Sequence, residues 1–389
     1  MRKLRFIFSF CAILSLFSSC ENQFMNIEDI SFITSKTSMQ SFSHLNEPIV
    51  ITMPVYQKQG LWGSSGSTRK TQVGDIFVVY DWESGTVFDW AFFAGKHGLS
   101  NWRAVEMGTP TKYYDAGEAS GLIGCLDPET GNITVIKNAV HGTFANLNNN
   151  NAVKSRYGMI QTFGFANNEE TYTVYPFDSA IGKVSNESIT VPVYTSGNVF
   201  TPCADSDGNY WISYQHNDFN YLAKFDCSCA DVEKFRGFPM NRQSTYEVMS
   251  LLCVTDRYVV VSDDIAPYYP NVVIYDKENM GEPYKEILLP YLDPDGKFLF
   301  RICEIDGMMY AIFARWGEGE IWKLDVNAGG FKRISSFDFD FTETVYVRGT
   351  RIYFINSRNL QRFACMYYDT ASGTVGEVQS FTFDEIVVQ

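Results

Sequence analysis

The chain has 389 residues, of which 45% are apolar and 16% aromatic, and a formal net charge of −14. This apolar content excludes a disordered chain and suffices for one large all-β domain or two to three ordinary ones. The acidic balance excludes nucleic acid as a partner, because phosphate contact requires a Lys/Arg surface. The 23 Tyr and 31 Phe favour strands over long helices, since flat side chains pack well on a pleated sheet.

The N-terminus, "MRKLRFIFSFCAILSLFSSCEN", places cations at Arg2, Lys3 and Arg5 before an apolar run from Phe6 to Phe17, then small residues and Cys20. Residues 1–19 read as an export signal, too short to act as a stable membrane span. "LFSSC" resembles a bacterial lipobox, with Phe17 where Leu is usual. The resemblance implies cleavage before Cys20 and a lipid on that cysteine, which would anchor the protein to a membrane of the bacterial cell envelope. The alternative is plain secretion with Cys20 as an ordinary thiol. Residues 20–47 are polar and Ser-rich, as suits a tether, although "ISFITS" also reads as a first strand.

From residue 48 onward the chain repeats. Seven times a short β run ends in an Asp followed by turn residues and another β run: "FVVYDWESGTV", "IGCLDPETGNI", "VYPFDSAIGKV", "AKFDCSCADVE", "VIYDKENMGEP", "WKLDVNAGGFK" and "MYYDTASGTVG". The aspartates are Asp81, Asp127, Asp178, Asp226, Asp276, Asp325 and Asp369, at spacings of 46, 51, 48, 50, 49 and 44. At the first position of a tight turn the carboxylate accepts from backbone N–H groups two residues on, and a following Gly supplies positive φ. Upstream of the last four aspartates lie alternating runs such as "NYWISYQ" and "RYVVVSD", and upstream again "NVFTPCA", "VMSLLCV", "LFRICEI" and "ETVYVRG". With the run after each Asp turn, this makes four antiparallel strands per repeat. Such a repeat predicts a single all-β domain, a β-propeller over residues 48–389, whose blades bury one another around an axis. Seven blades are expected. The alternative is six, if "FVVYD" and "TVFDWAFF" belong to one hairpin.

The opening segment "GDIFVVYDWESGTVFDWAFFAGKHGLSNWRAV" is similar to the start of the TolB-like propeller lipoproteins common in Bacteroidetes. There a hairpin precedes a loop of the "fGkkG.gP.Ef" type; "FAGKHGLSNW" stands in its place without the Pro and Glu. The resemblance covers the first two repeats and the lipobox. It implies six blades and brings no catalytic residue.

No Gly-rich phosphate loop, HExxH or CxxC pair appears, so no cofactor and no metal is expected. "DSDGN" at 205–209 has the start of a calcium loop without its later ligands, and alignment with "VTDRY" and "EIDGMMY" makes it the turn between first and second strands. Cys203, Cys253 and Cys303 occupy one place in three successive repeats and read as buried thiols. His216 and His141 fall in loops with no nucleophile or paired carboxylate spaced near them, so no catalytic residue is assigned.

The connections between second and third strands are richer: "QHNDFNY", "DDIAPYYPN", "ARWGEGE" and "SRNLQRF" carry His216, Asn217, Tyr268, Tyr269, Arg315, Trp316 and Arg358. Rigid scaffolds present binding residues on loops, with Tyr, Trp and Arg the usual anchors. These seven residues are the expected ligand-binding face of a non-enzymatic scaffold for a protein or a glycan. The alternatives are a propeller lyase or glycan hydrolase using His216, and a structural subunit of an outer-membrane complex.

Overall fold

The computed structural model describes residues 36–58, 70–94, 104–117, 121–137, 140–144, 156–166, 169–186, 188–192, 203–205, 207–216, 219–225, 236–243, 250–263, 271–290, 298–315, 317–339, 344–356 and 362–382. Every regular element among them is a strand, and the strands form seven antiparallel sheets. Blade 1 holds β1 (Ile49–Lys58), β2 (Lys70–Asp81) and β3 (Thr86–Ala94); blade 2 holds β4 (Val105–Met107), β5 (Lys112–Gly117), β6 (Leu122–Leu126) and β7 (Ile133–Lys137). Blade 3 holds β8 (Thr143–Phe144), β9 (Tyr157–Ala166) and β10 (Glu169–Asp178), and its outer strand is split into β11 (Lys183–Val184) and β12 (Ile189–Pro192). Blade 4 holds β13 (Cys203–Ala204), β14 (Tyr210–His216), β15 (Phe219–Phe225) and β16 (Arg236–Gln243); blade 5 holds β17 (Ser250–Val254), β18 (Tyr258–Asp263), β19 (Asn271–Asp276) and β20 (Lys285–Leu288). Blade 6 holds β21 (Phe298–Ile305), β22 (Met308–Arg315), β23 (Glu318–Asp325) and β24 (Gly330–Asp338). Blade 7 holds β25 (Thr344–Arg348), β26 (Arg351–Asn356) and β27 (Arg362–Asp369), with a split outer strand of β28 (Thr374–Val375) and β29 (Gln379–Thr382).

Each blade is apolar on both faces, so each must be covered twice, and the buried clusters record how. Val50, Phe77 and Val79 of blade 1 meet Tyr113 and Leu126 of blade 2, and Met107, Tyr114 and Ile123 of blade 2 meet Phe144, Ile160 and Phe177 of blade 3. The Tyr210 hydroxyl of blade 4 donates to the Tyr157 carbonyl of blade 3 at 3.1 Å. Further clusters join blades 4 and 5, 5 and 6, and 6 and 7. Ile49, Ile51 and Tyr80 of blade 1 close against Tyr346, Tyr353 and Phe363 of blade 7. The succession returns to its start, which makes a seven-bladed β-propeller. Burying each of these large side chains contributes about 1.5–3 kcal/mol.

Two expectations change in blade 1. "FVVYD" and "TVFDWAFF" do lie in one hairpin, β2 and β3, yet the count stays at seven. The reason is register: Ile49 of β1 faces Tyr80, just before the Asp81 turn, as Arg351 of the second strand of blade 7 faces Asp369. Strands β1 to β3 are therefore second, third and fourth strands, and the blade has three strands among the described residues instead of four.

The expected tether has buried contacts in its described part. Met39 and Phe42 are buried against blades 1 and 2, with the Phe42 amide donating to the Pro128 carbonyl at 2.9 Å and the Met39 amide to Gly131 at 3.0 Å. Lys36 pairs with Asp89 and lies over the Trp90 ring. This arm presses on the Asp127 turn, so a Cβ on Gly131, whose φ is +68°, would fall 2.0 Å from the Met39 carbonyl oxygen. Gly373 holds the matching place in blade 7 at φ +71° with nothing within 4 Å. Gly373→Ala should then cost about 1 kcal/mol of left-handed strain, and Gly131→Ala at least about twice that through overpacking. Equal losses in urea denaturation would show that the arm does not bear on the turn.

Candidate functional site

Five of the six described Asp turns have the geometry their sequence implies. The side-chain oxygens of Asp81, Asp127, Asp178, Asp276 and Asp369 accept from the amides of Glu83, Glu129, Ala180, Glu278 and Ala371, two residues on, at 2.9–3.1 Å. Asp325 accepts from Ala328 at 2.8 Å, and Asp226 lies outside the described residues. In each blade this turn sits where the second strand begins, so the connection from second to third strand leaves from the opposite end. The propeller thus has a turn end and a loop end.

At the turn end a cation opening the second strand reaches the Asp closing the third. Lys112 meets Asp127 at 2.7 Å, Arg156 meets Asp178 at 2.5 Å, Arg257 meets Asp276 at 2.9 Å and Arg351 meets Asp369 at 3.4 Å. The guanidinium groups also lie over Tyr157, Tyr258 and Tyr367, 4.5–5.2 Å from the ring centroids. The Arg156 hydrogen bond holds the Asp178 carboxyl below its ordinary range, and the Glu278 amide followed by Arg257 does so for Asp276. For Asp127, burial works in the opposite direction and is outweighed by Lys112 and the Glu129 amide. Exposed pairs of this kind contribute little to stability, but in these four blades they set the turn carboxylate and the cation against each other. Sequence reasoning missed the pairing. Its signal is a cation opening the second strand with an aromatic one or two positions on, in "KYY", "RYG", "RYV" and "RIY".

Asp205 lies near the inner rim of the same end and is 1% exposed. Its Oδ1 accepts from the Asn209 amide at 2.9 Å and the Asp207 amide at 3.1 Å, and its Oδ2 accepts from Trp211 Nε1 at 2.9 Å. Lys277 and Lys224 stand 3.5 and 3.9 Å from Oδ2, both near the Trp211 ring. "DSDGN" is therefore the expected turn, with Gly208 at φ +81° and the carboxylate oxygens engaged by N–H donors.

Across blades 7, 1 and 2 the turn end holds a buried ion pair. Arg348, at the end of β25, pairs with Glu106 of β4; the side chains are 3% and 7% exposed. Its Nε donates to the Glu47 carbonyl at 2.6 Å and its Nη1 to Val347 at 3.0 Å.

The expected binding residues belong to the loop end. His216 closes β14 opposite Phe219 and Arg315 closes β22 opposite Glu318, so the backbone puts both at that end. Their side chains, and Asn217, Tyr268, Tyr269, Trp316 and Arg358, lie outside the described residues, as does Cys20. Asp263 and Asn271 pair across the foot of the connection carrying Tyr268 and Tyr269, and Asn356 pairs with Ala364 across that carrying Arg358. His141 is exposed in the link between blades 2 and 3, while His44 stands edge-on to Phe88 at 5.5 Å, near the turn end.

Cys203, Cys253 and Cys303 are buried in the first strands of blades 4, 5 and 6, as their repeat position implied, and Cys125 and Cys365 are buried too. Burial pushes the Cys303 and Cys365 thiols up to about 12 and raises Cys253 strongly. Since the thiolate is the reactive form, these thiols should resist alkylation at pH 8 in the folded protein and react fully in denaturant. Rapid labelling of any of the three in the native state, read by mass spectrometry, would contradict the packing.

No protein-family model and no curated protein matches the sequence. Solved structures do match. A protein from Lactobacillus plantarum, 12% identical, superposes with a TM-score of 0.53 over 86% of this chain and 96% of its own. A putative 6-phosphogluconolactonase from Bacteroides uniformis, 10% identical, does so with a TM-score of 0.50 over 87% of this chain and 97% of its own. TolB from Acinetobacter baumannii, 12% identical, reaches a TM-score of 0.40 over 85% of this chain and 81% of its own. At such identities the first two likenesses show a shared fold alone, and it is the seven sheets with blade 7 packed on blade 1 that make this chain, by fold, a seven-bladed β-propeller.

Proposed function

We propose that the protein is a lipid-anchored propeller of the bacterial cell envelope whose loop end binds a protein or a glycan without chemical turnover. The observation that carries this reading is the contrast between the two ends. At the turn end four of the repeat aspartates are held in ion pairs within their own blades, whereas the second-to-third-strand connections, rich in Tyr, Trp, Arg and His, leave together from the other end of one rigid ring. The anchor is supported by the export signal and by Cys20 in its lipobox-like setting.

Three alanine substitutions, Tyr268→Ala, Tyr269→Ala and Trp316→Ala, test the binding face against immobilised envelope extract and a glycan array. Loss of the captured species, with Arg257→Ala at the opposite end unaffected, supports the reading; undiminished capture by the triple variant overturns it. A partner that co-purifies in fixed ratio from intact membranes would identify a subunit of a complex. Mass spectrometry of the mature N-terminus tests the anchor, and an unmodified Cys20 would refute it.

A further inference from the structure

We propose that Lys323 and Lys332, on the outer half of blade 6 where it leans on blade 7, hold a sulfate or phosphate group, free or as an ester of a sugar. The strand register sets the two side by side. Cys303 faces Tyr310, Tyr310 faces Lys323 and Lys323 faces Lys332, so four side chains from β21 to β24 stand in one row on one face of the blade. That face is the one turned to blade 7, because Cys303 and Tyr310 belong to the cluster that holds Ile352, Met366 and Tyr368. From the channel outward the row reads thiol, phenol, ammonium, ammonium.

Like charges directly opposite on neighbouring strands repel, with Cβ atoms only about 4.5–5.5 Å apart. A chain with 45 acidic side chains against 31 Lys and Arg has ample means to neutralise such a pair. It does so elsewhere: in blade 4 Lys224 likewise faces Arg236, and there the Asp205 carboxylate stands 3.9 Å from Lys224. The other cations around blade 6 are also engaged, Arg333 with Glu320 at 3.3 Å and Lys285 of blade 5 with the Asn327 carbonyl at 2.5 Å. Neither Lys323 nor Lys332 has an acidic partner among the described residues. Asp325, next on the same face, accepts from the Ala328 amide at 2.8 Å inside its own turn, and Asp369 of blade 7 is engaged by Arg351 and Thr350. Protection of an open sheet edge explains a lysine on the outer strand β24, but not a second one opposite it on β23.

The surroundings suit an oxyanion. Lys323 is half-buried and Lys332 exposed, so a group held between them is reached from solvent on one side and backed by the blade on the other. Tyr310, beside Lys323, hydrogen-bonds across the seam with Thr370 of blade 7, which brings two hydroxyl groups to the inner margin of the lysine pair. Thr370 is itself fixed, its Oγ1 donating to the Thr350 carbonyl at 2.8 Å. A tetrahedral dianion presents separate oxygens to two ammonium groups, each a compact charge with rotatable donors. Both lysines stem from strands, so the seat is held without reordering a loop.

Limited lysine acetylation of the full chain, read by peptide mass spectrometry, tests the site without altering it. At constant ionic strength, about 10 mM sulfate or phosphate in place of chloride should slow modification of Lys323 and Lys332 roughly threefold or more, as a dissociation constant of a few millimolar requires. The exposed Lys137 and Lys183 should react as before. Lys332→Gln should abolish the protection of Lys323, since one ammonium no longer makes the seat. Galactose 6-sulfate and galactose 6-phosphate identify the source: protection at lower concentration than the inorganic ions assigns the site to an ester, and equal protection assigns it to the free ion. The proposal is overturned if none of the four probes protects the pair, if Lys137 and Lys183 are slowed equally, or if Lys323 stays fully protected in Lys332→Gln.

Discussion

Arg348→Met will destabilise the propeller by about 3–5 kcal/mol, because it leaves the Glu106 carboxylate buried without its partner. Both side chains are almost fully buried, and the guanidinium also serves the carbonyls of Glu47 and Val347. The consequence is architectural as well as energetic. Arg348 ends the first strand of blade 7, Glu47 precedes β1 of blade 1 and Glu106 lies in the first strand of blade 2, so one side chain ties blade 7 to blades 1 and 2. Adding Glu106→Gln should recover much of the loss, since the uncompensated charge is then gone while the carbonyl contacts stay unmade. Chemical denaturation followed by Trp fluorescence measures both variants. A loss below about 1 kcal/mol for Arg348→Met would mean that water reaches the seam and screens the charge.

Asp205→Ala should cost about 3 kcal/mol, chiefly through the buried donors it strands. The indole N–H of Trp211 and the amides of Asp207 and Asn209 all aim at its carboxylate, and two lysines flank it. Its protonation makes a second, independent readout. Burial alone would raise the Asp205 carboxyl, but the hydrogen bonds from Trp211 and Asn209, with Lys277, hold it below the ordinary value. A carboxyl depressed in the folded state releases its proton more readily there than in the unfolded chain. Its stabilisation is therefore fully present above the unfolded value of about 3.9 and disappears as pH falls through the lower folded one. The wild type should lose stability on acidification below about pH 4 more steeply than Asp205→Ala, with denaturation midpoints at pH 3 and pH 6 as the measurement. Parallel losses in the two proteins would remove Asp205 from that account.

The repeat was legible because its cause is local. An Asp that closes a strand and accepts from the amide two residues later is a property of four or five consecutive residues, so it shows in the sequence wherever it occurs, as at Asp127 or Asp369. The buried thiols were legible for a related reason: equal places in equal repeats meet equal surroundings. The paired cations were less so. Arg257 and Asp276 are 19 positions apart, and only the antiparallel register of β18 and β19 brings them together. Blade 1 misled for the same reason in reverse: the hairpin at Asp81 is the outer half of a blade whose second strand is β1, and hydrophobic alternation looks alike in every strand of a sheet.

Composition and short-range pattern by themselves determined that this protein is acidic, all-β and built of repeated hairpins, since each follows from side-chain chemistry within a few residues. Tertiary structure alone decided the closure of the ring. Blade 1 meets blade 7 through Tyr80, Tyr353 and Phe363, Phe42 of the arm is buried over blades 1 and 2, and Arg348 reaches Glu106 across 242 positions of sequence. Those contacts depend on how many blades fill the circle and how each leans on the next, and no stretch of a single blade contains that information.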